Sequence, residues 1–246
     1  MPVASPHRWC YGGSMSALLP ALKTLFRQSE KCICITGSGG KTTALIALAH
    51  SYALEGKRVL VSTTTKLQLP DQRSYACDRY FFDDEVLSYA PHQGEQVFYA
   101  LKGARKALSP DEQTLEQLTE HYDVLLLEAD GARGCELKLH TERDPVIPSF
   151  TTATLAIASV GALGKPLSKA CFGWEEEDDQ LVTAETLSYL LSHPQGICKG
   201  VQGTSVVLLN QADTLSDSQK KTLQKLQCKH TLLIGSLAKN TLFHKD

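Results

Sequence analysis

The chain has 246 residues, with 25 Lys plus Arg against 27 Asp plus Glu, a formal net charge of −2. Hydrophobic residues make up 42% and charged residues 21%, an ordinary globular composition with enough apolar mass for a real core. That balance argues against a general nucleic-acid binder, which would be basic, and gives no reason to expect an anionic membrane as partner.

No apolar run reaches the ~20 residues of a membrane-spanning helix. The first residues carry no uninterrupted apolar stretch of the signal-peptide kind. The eight cysteines (Cys10, Cys32, Cys34, Cys77, Cys135, Cys171, Cys198 and Cys228) include no CxxC pair. Without a secretory signal they read as reduced thiols in a cytoplasmic protein.

Residues 1–14 look like an irregular N-terminal extension, and residues 15–246 like a single α/β domain with insertions. Helical spacing begins near Met15, with Leu18, Leu19, Leu22, Leu25 and Phe26 on one face. Lys31–Thr36 predicts a strand, Lys41–Glu55 a helix stopped by Gly56, and Arg58–Ser62 a second strand. Tyr75–Phe82 and Gln96–Leu101 are weaker strand candidates. Ser109, Pro110 and Glu112 predict a helix start with a cap, a first-turn proline and a capping-box acid. Asp123–Leu127 is apolar without alternation, as a strand buried on both faces requires. Ala153–Val160, Ser205–Asn210 and Thr231–Ile234 are further strands. Thr183–Leu191 and Ser216–Leu226 are helices, the second with a Ser216/Gln219 capping box. Strands alternating with helices imply right-handed βαβ units, a mostly parallel sheet, and ligands at the carboxyl ends of its strands.

Every motif with chemical content falls at such an end. The strongest is Gly37-Ser38-Gly39-Gly40-Lys41-Thr42-Thr43, between a strand and a helix. Glycines let backbone N–H groups turn inward around phosphate oxygens, and the helix N-terminus adds its positive end. Lys41 would reach the β- and γ-phosphates, and Thr42 would ligate Mg²⁺. The spacing G-x-x-G-K-T is two residues shorter than the common phosphate loop. The second motif is Asp123–Asp130, an apolar strand ending in acids. One acid, assigned as Asp130, would hold Mg²⁺, and Glu128 would orient the attacking water.

Three further motifs leave two readings each. Ser62-Thr63-Thr64-Thr65-Lys66 offers hydroxyls, Thr64 among them, for the metal or the γ-phosphate, or simply threonines that favour a strand end. Asn210-Gln211-Ala212-Asp213 has the Asn and Asp of a guanine-reading N-K-x-D with the Lys replaced, or else only abuts the base. Lys138 and Lys165 bring cations to an anionic substrate or partner, or are plain surface. The acidic run Glu175–Asp179 reads as a solvated loop, and the eight His show no metal-ligand spacing.

Together ITGSGGKTT, VSTTTKL, LLLEADGARG with Lys138, DPVIP, GALGKPL and LLNQAD resemble the YqeC-type proteins. These are accessory factors for selenium-dependent molybdenum hydroxylases, grouped with selenium cofactor biosynthesis. The match runs from about Cys32 to Asp213. Before VIP the family pattern usually reads His-Glu-Pro. This chain has Arg143-Asp144-Pro145, so no role for that His carries over. The resemblance implies a P-loop NTPase-like three-layer α/β fold, ATP or GTP with Mg²⁺ as cofactors, and a molybdenum hydroxylase or cofactor-maturation protein as partner. Rival readings on the same loop are a nucleotide-switched scaffold with negligible turnover and a small-molecule kinase or ligase. Mur-type ligases carry a similar loop, but their added domains do not fit in this length. P-loop proteins of the dimeric switch class bury nucleotide at a two-fold interface, so a homodimer is a further expectation.

Overall fold

The computed structural model describes residues 17–175 and 180–243. The extension expected over residues 1–14 and most of the acidic run, residues 176–179, lie outside them.

The strands are β1 (Cys32–Gly37), β2 (Val59–Thr63), β3 (Arg79–Phe81), β4 (Gln96–Tyr99), β5 (Leu101–Lys102), β6 (Ala107–Leu108), β7 (Val124–Glu128), β8 (Leu137–Lys138), β9 (Ala153–Ser159), β10 (Cys171–Phe172), β11 (Thr204–Asn210), β12 (Thr231–Ser236) and β13 (Thr241–Phe243). The helices are α1 (Leu18–Phe26), α2 (Lys41–Ala53), α3 (Glu85–Ser88), α4 (Glu112–Leu118), α5 (Leu167–Ala170), α6 (Ala184–Ser192) and α7 (Asp217–Leu223). Nine strands form one sheet in the order β13-β12-β11-β9-β1-β7-β2-β4-β3. All its pairings are parallel except β12 with β13.

The lack of alternation in the strand sequences has a direct cause. Ile33 and Ile35 of β1 pack on one side with Val61, Leu126, α1 and α2. Cys32 and Cys34 point to the other side, with Leu60, Leu125, Leu127 and α4. Farther along that side, Ala156, Val207 and Leu209 pack under α5, α6 and α7. Both faces are covered, so three layers result and successive residues must all be apolar. Burying each Leu or Ile stabilises by roughly 1.5–3 kcal/mol.

The structure moves several boundaries. Helix α4 is capped by Asp111, whose side chain accepts from Thr114 N at 2.8 Å, and not by Ser109. Glu112 closes no capping box, because it accepts from Ser149 N and Oγ, both at 2.6 Å. Asp caps as well as Ser, and Glu112 is drawn to a neighbouring loop. The predicted box at Ser216 and Gln219 is present, but α7 stops at Leu223. The candidate strand Tyr75–Phe82 shrinks to β3. The antiparallel edge strand β13 and the short pair β8–β10 carry no pattern that a periodicity reading could find. Among the described residues no helix is long and apolar enough to cross a membrane.

Candidate functional site: a phosphate loop facing two carboxylates

Five strand ends converge. Gly37, Thr63, Glu128, Ser159 and Asn210 are the last residues of β1, β2, β7, β9 and β11. The register sets Ile35 and Thr63 beside Glu128, and Gly37 beside Ile157. Ser38, Gly39 and Gly40 then turn the chain into α2, which starts at Lys41, with Thr42 and Thr43 in its first turn. Gly39 and Gly40 have φ of +75° and +144°. A Cβ on Gly39 would lie 2.3 Å from Ser159 Cβ, and one on Gly40 would lie 2.3 Å from Asn210 Nδ2. These two positions therefore exclude a side chain on conformation and on space.

The acids lie opposite the loop. Asp130 Oδ2 accepts the Gly37 amide at 2.8 Å, and Asp130 Oδ1 lies 3.0 Å from Lys41 Nζ. Lys41 also donates to Gly37 O at 2.7 Å and stands 3.8 Å from Glu128 Oε1. The Thr42 hydroxyl donates to Glu128 Oε2 at 3.0 Å. Thr42 is therefore partnered with Glu128, while Asp130 is held against the backbone of the loop.

Two residues of the following segment complete the cluster. Lys138 is almost fully buried, donates to Gly131 O at 2.6 Å, pairs with Asp144, and lies 3.4 Å from Asp130. It is a member of the site, not a surface cation. His140 Nε2 meets Asp130 Oδ2 at 2.8 Å, and its Nδ1 meets Gly196 O at 2.9 Å. The Gly196 carbonyl can only accept, so the Nδ1 N–H donates to it while Nε2 faces the Asp130 carboxylate. Sequence reasoning gave His140 no task. The available signal was the spacing of Lys138 and His140, two apart beside a short strand, which brings both to one carboxylate.

The charges set the acids apart. Burial alone would raise Asp130, but the His140 hydrogen bond and the charges of Lys41 and Lys138 outweigh it and bring it down to about 2. Burial pushes Glu128 up, opposed by Lys41 and the Thr42 hydrogen bond. Burial also works against an ionised Asp144, yet Lys138 and Thr141 hold it below the usual range.

The remaining expected residues separate. Thr63 Oγ1 donates to Glu128 O at 2.8 Å, and Thr64 Oγ1 donates to Val146 O at 2.6 Å, so both hydroxyls brace loops. Asn210 is buried and bridges two loops, donating to Gly39 O at 2.9 Å and accepting from Leu237 N at 3.0 Å. Asp213 is exposed in a single 3-10 turn. Lys165 is half exposed and ion-paired with Glu136 at 2.5 Å.

The donors present fit a phosphate with a hard cation. The Ser38 hydroxyl is buried with no hydrogen-bond partner among the described residues, and a phosphate oxygen would supply one. Thr42 and Glu128 offer oxygens side by side. Mg²⁺ is usually held by one or two carboxylates plus substrate phosphates, not by a protein-built cage.

Sheet, loop and acids define a P-loop NTPase-like α/β protein. The chain belongs to the YqeC family: the family described as YqeC protein matches residues 33–175. The protein of Escherichia coli (strain K12) described as "Uncharacterized protein YqeC" is 30% identical over 214 residues, covering 79% of this chain and 82% of that one. Among solved structures, the crystal structure of HypB from Helicobacter pylori in complex with nickel is similar at a TM-score of 0.39 and 12% identity, over 90% of this chain and 86% of that chain.

Proposed function

We propose that the chain is a Mg²⁺-dependent nucleoside triphosphatase that serves the maturation of selenium-dependent molybdenum hydroxylases. The observation that carries the reading is Lys41, buried between Glu128 and Asp130 at the mouth of a glycine loop. Gly37, Ser38, Gly39, Gly40, Lys41, Thr42 and Thr43 would bind the phosphates of ATP or GTP. Thr42 and Glu128 would hold the cation, which when bound neutralises charge developing on the phosphoryl group. Asp130, fixed by Gly37, Lys138 and His140, keeps the loop backbone and Lys41 in place. This assignment moves the cation from Asp130, where the sequence reading put it, to Glu128, because Thr42 faces Glu128, and it gives neither acid the task of orienting the water. The maturation role rests on the family resemblance alone.

Calorimetric titration with ATP and with GTP, each with and without Mg²⁺, tests the reading. Binding should need Mg²⁺ for full affinity and should be lost in Lys41→Ala. Wild-type protein that ignores both nucleotides at millimolar concentration overturns it.

A further inference from the structure

Beyond the phosphate loop, the structure brings two thiols together. Cys198 Sγ and Cys228 Sγ are 4.0 Å apart although 30 residues separate them in the chain. Cys198 lies in the loop after α6, and Cys228 lies in the segment between α7 and β12. Both border a cavity of about 610 Å³ that is also lined by His193, Lys199 and Lys229. Cys228 is half-buried and Cys198 is buried. By contrast, Cys32 and Cys34 are sealed in the sheet core. Among the described residues no group of three or more His, Cys, Asp or Glu is placed to hold a metal ion. The pair therefore has no built metal cage, and thiol chemistry is what its geometry offers.

The Cys198 loop is also the support of His140. Gly196 O accepts from His140 Nδ1 at 2.9 Å and from Lys199 N at 3.1 Å, so Cys198 sits inside the turn that presents this carbonyl. Gln195 O accepts the His140 amide at 2.7 Å, and Lys199 Nζ donates to Asp144 O at 3.0 Å. A disulfide needs an S–S distance of about 2.05 Å. Closing the pair draws the Sγ atoms together across about half of their 4.0 Å separation, and the Cys198 side of it is the turn that holds His140, which in turn orients Asp130.

We propose that Cys198 and Cys228 form a reversible disulfide by exchange with an anionic low-molecular-weight disulfide, and that its closure loosens the phosphate loop through Gly196, His140 and Asp130. The more exposed Cys228 attacks as thiolate and forms a mixed disulfide, and one small thiol leaves. Cys198, deprotonated in the step, displaces the second. Two protein thiols lose two protons and two electrons, and one small-molecule disulfide is reduced to two thiols. Cys228 is the first attacker because it is the more accessible thiol, while burial pushes the Cys198 thiol up, to about 12. Lys199 and Lys229 at the cavity favour an anionic disulfide.

The coupling rests on the nucleotide reading of the loop, whereas the thiol chemistry does not. The full chain is incubated with glutathione disulfide and digested without reduction. The expected result is a linked pair of peptides containing Cys198 and Cys228, absent in Cys198→Ser and in Cys228→Ser. Both thiols still free, or a mixed disulfide that persists on Cys228, overturns the proposal. Oxidation should weaken nucleotide binding at least ~5-fold and shift the His140 imidazole signals by NMR, with neither change in Cys198→Ser. A closed disulfide with both readouts unmoved overturns the coupling. If reduced protein binds no nucleotide, the functional reading fails while the His140 signals still decide the coupling.

Discussion

The Gly37 amide and the Asp130 carboxylate meet at 2.8 Å, tying the last residue of β1 to a residue just past the end of β7. The same carboxylate faces Lys41, Lys138 and His140 while almost fully buried. Breaking one side of a buried ionic cluster leaves uncompensated charge, typically at a cost of 3–5 kcal/mol. Asp130→Asn keeps the shape and removes the charge, so it should lower stability by about 3 kcal/mol. Urea unfolding followed by circular dichroism measures this. A change below about 1 kcal/mol would mean that the lysines find water or another acceptor.

Glu128 should behave in the opposite way. Burial pushes its carboxyl up. A carboxylate with a raised folded pKa supplies stability below its unfolded pKa and loses it as pH rises through the folded value. At neutral pH the charge therefore costs stability. Glu128→Gln, which can still accept from Thr42, should raise the melting temperature by roughly 2–4 °C while Mg²⁺-dependent nucleotide binding falls. A site residue whose removal stabilises the fold is expected where function opposes stability. A lower melting temperature together with intact Mg²⁺ dependence would refute this.

Asn210 and Asp213 were paired by the sequence and are parted by the structure. Asn210 braces Gly39 and Leu237 from a buried position. Asn210→Ala strands both partners, at a cost of ~1–3 kcal/mol, and should weaken ATP and GTP binding by a similar factor. Asp213→Ala, at an exposed position, should leave stability within about 0.5 kcal/mol. Competition between the two nucleotides separates the roles: only loss of GTP preference in Asp213→Ala would give that residue a part in reading the base.

What the sequence made legible follows from what is local. Strands β1, β7, β9 and β11 are apolar runs, and the glycine loop between β1 and α2 has its residues within one turn of chain. Glu128 and Asp130 were visible as acids ending a strand, but their separate tasks were not. Those depend on Thr42, Lys138 and His140, which lie as far as 86 residues from the acids they contact. Asn210 was visible as a polar strand end, whereas its partners Gly39 and Leu237 come from two other strand ends. The cap of α4 was misplaced because Ser109 and Asp111 are equally good caps and only the observed backbone chooses between them.

Arg58 and Asp123 give a test away from the site. Arg58 sends its amide, Nε and Nη2 to the Asp123 carboxylate at 2.8, 3.1 and 2.7 Å, pinning the start of β2 to that of β7. These bonds, opposed in part by burial, take Asp123 from 3.8 down to about 2. A carboxylate with a depressed folded pKa supplies stability above its unfolded pKa and loses it as pH falls through the folded value. The contribution should therefore be full above about pH 4 and gone near pH 2. Both side chains are about one-third exposed, so solvent screening reduces it to about 1 kcal/mol. Asp123→Asn should lower stability by that amount at pH 7 and should converge with wild type near pH 2. Unfolding curves across pH 2–7 measure the gap, and a gap that stays constant with pH would show that the pair acts by packing and not by charge.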